Sequence, residues 1–329
     1  MTMREVAELA GVSSAAVSRY LNGGYISEDK AARIKAAIEQ TGYVPSSQAR
    51  SLRTGSSHLV GVIAPKINSE SISRITSGIG RVLHDRGYQM LLADTDNSPE
   101  QELAYLEVFQ SHPVDGIILI GTVFTDRHRA FLDTARVPVV VVGQRARGYT
   151  CVYHDDRGAA CALAQRIAAS GARRIAYIGV DRIDEAAGAA REDGFRAGLA
   201  YAGIEFDEAL RRESPFSVEG GYQAASDLLD RAGTVDFIAC ATDTIAAGAI
   251  QALHEHGVAT AADRVSGFGD NQFLRAVTGG ILTVHLAFLR SGIEGASLLL
   301  DRVGDARASE PYEARELMLG YELVGRKDL

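Results

Sequence analysis

The chain has few cysteines, no long apolar run free of charge, and none of the short motifs that announce common enzyme chemistry. Cys151, Cys161 and Cys240 form no CxxC pair and have no metal-ligand spacing. That excludes a disulfide framework or a zinc site and leaves buried free thiols as the simpler reading. The lack of a charge-free apolar stretch excludes a membrane span. The opening MTMREVAELAG is charged and amphipathic, unlike a signal segment, so a cytoplasmic protein is expected. No P-loop, complete GxGxxG, HExxH or GxSxG occurs, so no phosphate cradle, zincin or nucleophile elbow is indicated. His254 and His256 stand on different sides of any helix that carries them. His154-Asp155-Asp156 reads as a helix cap rather than as a metal or acid–base cluster. No enzyme activity, no metal and no cofactor is expected.

What is present is enough chain for two or three domains, 329 residues with 46% hydrophobic side chains to fill their cores. The net charge of −8 argues against nucleic acid when taken whole, but it is unevenly spread. Residues 1–57 carry seven Lys/Arg against five Asp/Glu, a balance of +2, which leaves −10 on the remainder. A mildly basic head on an acidic body can meet DNA with the head alone while the body resists non-specific binding.

The stretch MREVAELAGVSSAAVSRYL reads as two short helices around a tight break at Gly11. Val6, Leu9 and Ala10 recur at helical spacing, and Thr2 with Glu5 forms a capping box. Ser13 caps a second helix whose Val17 and Leu21 point inward. Ser14, Ala15, Ser18 and Arg19 remain outside, a narrow face with one guanidinium that suits the DNA major groove. A helical hairpin that merely packs is the bland alternative. After the turn at Asn22-Gly23-Gly24-Tyr25, Ser27 begins a third helix with Ile34 and Ile38 inside and Gly42 at its end. So small a core is marginal alone.

Residues 45–57 form a polar linker that starts with Pro45 and is too short to hold a helix without packing. Leu52 is its one large apolar residue. Either it docks on the body or it acts as a wedge between base steps in the minor groove.

From His58 onward, short apolar strands alternate with amphipathic helices. Strands are expected at 59–64, 89–93, 116–120 and 137–142, then at 174–178, 237–241, 265–268 and 282–286. Near-continuous Val/Ile/Leu runs suit parallel strands covered on both faces. Helices expected at 72–86, 100–111, 158–169, 186–202, 221–231 and 245–256 supply the crossovers. Two such series predict two doubly wound subdomains with a cleft between them. Ligands in such sheets sit beyond the carboxyl ends of the strands. Those ends offer Lys66, Asn68, Ser69, Asp94, Asp96, Thr122 to Asp126, Gln144, Asp181 to Glu185, Thr242, Asp243, Asp270 and Asn271. Phe216, Phe288 and Phe124 are candidate aromatic platforms for a sugar ring.

The run REVAELAGVSSAAVSRYLN, the third helix, and then GYVPSSQARSLR resemble the headpiece and hinge of the LacI/GalR family of bacterial transcription regulators, and the resemblance continues to about Val324. It implies an all-α helix-turn-helix headpiece at 1–44, a hinge helix at 45–57, and an α/β periplasmic-binding-protein-like core at 58–329. The core would divide into one subdomain of about 58–155 plus 287–312 and a second of about 156–286 plus 313–329. DNA-facing residues implied by the resemblance are Thr2, Ser13, Ser14, Ala15, Ser18, Arg19, Asn22 and Tyr25 in the head, with Ser46, Ala49, Leu52 and Arg53 in the hinge. The implied effector site comprises Asn68, Ser69, Phe124, Gln144, Arg191, Phe216, Thr242, Asp270 and Phe288. Departures stand out as well. Gln144 follows the fourth strand where members commonly have Asp, Thr242 stands where many have Asn, and Asp270 comes one place late after Gly267-Phe268-Gly269.

Within the family, the segments around Thr125, Val142, Ala241 and Ser266 resemble sucrose-operon repressors, which implies sucrose or a related fructosyl sugar as effector. The partners implied are operator DNA, a small carbohydrate and a second copy of the chain. The absence of a heptad tail favours a dimer over a tetramer. A global carbon regulator working through a protein co-regulator, or a sugar receptor that does not bind DNA, are the other readings.

Overall fold

The computed structural model describes residues 2–21, 23–43, 56–308 and 313–325. Its contacts divide the chain into two units, 1–58 and 59–329.

The first unit holds helices α1 (Met3–Ala10), α2 (Ser14–Leu21) and α3 (Glu28–Thr41). Thr2 caps α1 in both directions: its Oγ1 accepts the Glu5 N–H at 3.3 Å, and Glu5 Oε2 accepts the Thr2 N–H at 2.7 Å. Gly11 ends α1 at φ 61, a left-handed conformation that costs glycine least. Ser13 Oγ then accepts the Ala16 N–H at 3.2 Å and starts α2. Val6, Ala7, Ala10, Val17, Ile34 and Ala37 make the core. Leu9, expected inside, is 50% exposed, because Ala7 rather than Leu9 turns inward. Burial of Val6, Val17 and Ile34 contributes only about 1.5–3 kcal/mol each, so this unit is thinly stabilised.

The second unit contains two six-stranded sheets. The first orders its strands β11-β5-β4-β3-β1-β2, where β1 is Leu59–Ala64, β2 Gln89–Asp94, β3 Gly116–Ile120, β4 Val139–Val142, β5 Cys151–His154 and β11 Glu316–Leu319. All its pairs are parallel. Helices α4 (Glu70–Asp85), α5 (Pro99–Ser111) and α6 (Asp126–Thr134) join its strands. The second sheet orders β12-β10-β9-β8-β6-β7, with β6 Ile175–Gly179, β7 Arg211–Glu213, β8 Phe237–Cys240, β9 Val265–Phe268, β10 Leu282–Leu286 and β12 Tyr321–Val324. It carries α7 (Asp156–Ala169), α8 (Arg191–Tyr201), α9 (Val218–Ala232), α10 (Asp243–Glu255) and α11 (Gln272–Thr278). The long α12 (Phe288–Ala308) follows β10 but packs its Ala296, Leu299 and Val303 into the core of the first sheet.

The chain therefore passes between the sheets after β5, after β10, and between β11 and β12. This revises the expected boundary at 313: β11 pairs with β5 in the first sheet, and only β12 joins the second, antiparallel to β10. Helix 186–202 also differs, since Glu185–Ala190 is a π-helical turn that runs into α8. Cys151 and Cys240 are buried thiols, as expected, whereas Cys161 is half-buried. Among the described residues no helix is long and apolar enough to cross a membrane.

Truncating the fully buried Ile34 in so small a core costs about 2–5 kcal/mol. Ile34→Ala in the full chain is expected to melt the first unit at 25 °C while leaving the calorimetric transition of the second within a degree. A single transition that shifts as one would contradict this separation.

Candidate functional site

In the first unit, Thr2, Ser13, Ser14, Ala15 and Arg19 are exposed, Ser18 is half-buried, and Tyr25 is 92% exposed. The outer face of α2 is thus small and polar around one guanidinium, as its sequence pattern predicts. Asn22, Ser46, Ala49, Leu52 and Arg53 lie outside the described residues.

In the second unit the carboxyl ends of both sheets' parallel strands border one cavity of about 370 Å³, a volume typical of small-molecule sites. From the first sheet come Lys66, Asn68 and Ser69 after β1, Thr122 after β3, Gln144 after β4 and His154 at the end of β5. From the second come Asp184 and Arg191 after β6, Phe216 after β7, Thr242 and Asp243 after β8, and Asn271 after β9. Phe288, just past β10, closes one side.

The wall is held by buried polar contacts. Asp184 Oδ1 accepts the N–H groups of Ala186 and Ala187 at 3.0 and 2.8 Å, which caps the π turn. That turn delivers Arg191, 7% exposed, to the cavity. Arg191 Nε donates to Asp156 Oδ1 at 2.8 Å and Nη1 to the Ala241 carbonyl at 2.6 Å, while its guanidinium lies 4.5 Å from the centroid of the Phe268 ring. Gln144 crosses the cleft: its Nε2 donates to the Thr122 carbonyl at 2.6 Å and to Asp184 Oδ1 at 2.9 Å. Lys66 Nζ reaches the Phe216 carbonyl at 3.4 Å, and Arg74 donates to the carbonyls of Gly269 and Asp270 at 3.3 and 3.1 Å.

Asp243 accepts the Thr283 hydroxyl at 2.6 Å and the Asn271 N–H at 2.7 Å. Burial nevertheless pushes its pKa up to about 6 against those bonds. A Cβ at position 267 would lie 2.2 Å from Asp243 Oδ1, so the glycine there makes room for the carboxylate.

Seven of the nine expected effector residues border the cavity: Asn68, Ser69, Gln144, Arg191, Phe216, Thr242 and Phe288. Two do not. Phe124 packs instead against His128, at 5.9 Å between ring centroids, and under the Arg129 guanidinium. Asp270 turns away because Arg275 Nη1 and His285 Nδ1 hold its carboxylate at 3.0 and 3.1 Å. Asp184, one of the strand-end candidates at 181–185, joins the wall, and His154 and Asp156 join it unforeseen as binding residues. Asp155, not its neighbours, is the cap of α7, accepting the Gly158 N–H at 2.9 Å. Among the described residues no group of acidic, His or Cys side chains could hold a metal.

Two sheet lobes around a polar, aromatic-flanked cavity, on the same chain as a helix-turn-helix unit, define a ligand-binding protein with a DNA-reading head. The comparisons agree. Residues 2–46 match the model of bacterial regulatory proteins of the lacI family, and residues 57–303 match that of periplasmic binding proteins and the sugar-binding domain of the LacI family. The transcriptional regulator CelR of Thermobifida fusca is 32% identical over 99% of this chain and 97% of its own. The sucrose operon repressor of Staphylococcus xylosus is 29% identical, covering 94% of this chain and 95% of its own. The solved CelR–cellobiose complex superposes with a TM-score of 0.73 at 30% identity, covering 98% of each chain. The chain belongs to the LacI family of bacterial transcription regulators, which are not enzymes.

A carboxyl group whose folded pKa lies above its ordinary 3.8 binds more protons folded than unfolded between the two values. Asp243 therefore adds stability at low pH that is lost as pH rises from about 4 through about 6, on the order of 2–3 kcal/mol. The difference in unfolding free energy between the native chain and Asp243→Asn should change across that window and be flat above pH 7. A flat difference throughout would show that Asp243 titrates normally.

Proposed function

We propose that this chain is a sugar-responsive repressor of a carbohydrate-utilisation operon, acting as a homodimer on operator DNA. The observation that carries the reading is the cavity itself, placed where two lobes meet and lined by amides, carboxylates and one arginine between Phe216 and Phe288. Hydroxyl-rich ligands pair with such side chains, and ring faces stack on the aromatics. The ligands and operons of the relatives, cellobiose for CelR and a sucrose operon for the Staphylococcus xylosus protein, point the same way. Sucrose or a related fructosyl sugar is the leading effector on sequence resemblance, and cellobiose is the second.

On the DNA side, Thr2, Ser13, Ser14, Ala15, Ser18, Arg19 and Tyr25 form the reading surface, with Arg19 the best placed for a bidentate guanine contact. A ligand that prefers one closure of the cleft shifts the population of lobe arrangements, and the linker 45–57 passes that bias to the heads.

The dimer follows from apolar surface that one copy leaves open. Leu91 and Leu92 are 40% and 44% exposed on the edge strand β2, and Phe273 and Val277 are 81% and 80% exposed one turn apart on α11. An uncovered apolar edge strand invites pairing. Sedimentation of Phe273→Arg/Val277→Arg should show dissociation at concentrations where the native chain is dimeric. An unchanged dimer would move the interface elsewhere.

The direct test selects a duplex from a random pool with the full chain and measures its affinity by fluorescence anisotropy at fixed salt. Sucrose or cellobiose should change that affinity by about 5–150-fold. Arg19→Ala should reduce the preference over random duplex by about 1–3 kcal/mol and leave sugar binding untouched. No preference for any duplex, with or without sugar, would end the repressor reading.

A further inference from the structure

We propose that the inner end of the cleft takes an uncharged polyhydroxylated ligand and rejects its phosphate esters, with the Asp184 carboxylate as the discriminating group. The inference rests on the sugar-responsive reading above and narrows its ligand class.

The charge in the wall is the first argument. Lys66 and Arg191 are the cations there, against Glu70, Asp156, Asp184 and Asp243. Arg191 is already matched by Asp156 at 2.8 Å, and Glu70 by Arg74 at 2.5 Å. Asp184 and Asp243 are held by neutral donors only: the Gln144 amide and two main-chain N–H groups for one, the Thr283 hydroxyl and Asn271 N–H for the other. Both are at least 95% buried. In so dry a place a phosphate dianion would add like charge that little solvent screens.

Hydrogen-bond polarity is the second, independent argument. Gln144 is 3% exposed and uses its amide N–H groups on Thr122 and Asp184, which leaves Oε1 as an acceptor in the cavity wall. Asp184 Oδ1 takes three donors, while Oδ2 takes none among the described residues. His154, 6% exposed, forms part of the same wall, and its Nε2 has no partner. Burial, together with the Arg191 and His285 charges, holds the ring's pKa below its ordinary value against the pull of Asp156, so the neutral ring adds no cation to the wall. Two acceptors, Gln144 Oε1 from one lobe and Asp184 Oδ2 from the other, call for a ligand face rich in O–H donors. A hydroxyl can supply them; a fully ionised phosphate has no proton to give.

The test is calorimetric titration of the full chain at pH 8 with sucrose and cellobiose, each beside its 6-phosphate. At least one parent sugar should bind, with its ester at least tenfold weaker, and Asp184→Asn should narrow that ratio at least threefold. An ester that binds as tightly as its parent, or alone, overturns the inference and leaves the sugar-responsive reading standing. A ratio unchanged in a folded Asp184→Asn chain removes Asp184 as the discriminator. Should that variant not fold, the ratio for the native chain decides. If none of the four compounds binds, the sugar reading fails and the inference falls with it.

Discussion

The amide of Gln144 spans the cleft between the two sheets, from the first lobe to Asp184 of the second. It satisfies a carbonyl at the end of β3 and a carboxylate at the start of the π turn with the same nitrogen. Thr122 belongs to the same lobe as Gln144, so separating the lobes exchanges one protein hydrogen bond, the buried one to Asp184, for one to solvent. The net cost is small, about 0.5–1.5 kcal/mol per bond, and somewhat more where the acceptor is charged. An interaction of that size can hold a closed arrangement and still be overcome by a ligand. A carboxylate at position 144 would meet Asp184 as a like charge, whereas the glutamine amide donates to it.

Around this contact the sequence divides its tasks. Continuous aliphatic runs such as Leu59–Ala64 and Val139–Val142 build sheets buried on both faces, which fixes the strand ends rigidly. The polar residues directly after those ends face the cleft. Arg191 locks the second lobe's wall by joining the start of α7, the end of β8 and the Phe268 ring. Removing it would strand the buried Asp156 charge, a loss of about 3–5 kcal/mol for a broken buried pair. Rigid lobes joined by one weak bond across the cleft are the kind of arrangement whose equilibrium a ligand can bias.

Most of the architecture was legible because strands and helices here announce themselves by period. Most elements that escaped are short or lie at sheet margins, the 21-residue α12 being the exception. β7 is three charged residues, Arg211–Glu213, and β5 is four residues after a Gly-containing turn. β11 and β12 read as a polar tail until their partners β5 and β10 are known. Seven of the nine effector residues read from strand ends and family resemblance border the cavity. Local sequence failed where a neighbour competes for the side chain. Arg275 and His285 claim Asp270, and His128, Arg129 and Tyr149 enclose Phe124. Asp184 was one of five candidates at 181–185, and His154 read only as part of a helix-cap cluster, because nothing local singles out either side chain. Asp184 caps a π turn that looked like ordinary helix.

The account stands on closure of the cleft being the event that DNA binding reads. Paired spin labels at Arg127→Cys and Glu219→Cys, exposed positions on opposite lobes, report that distance directly once Cys161 is replaced by Ser. A saturating effector should shift the label-to-label distribution, and the shift should share its half-saturation point with the change in operator affinity. An operator response to ligand with the distribution unmoved would contradict the account.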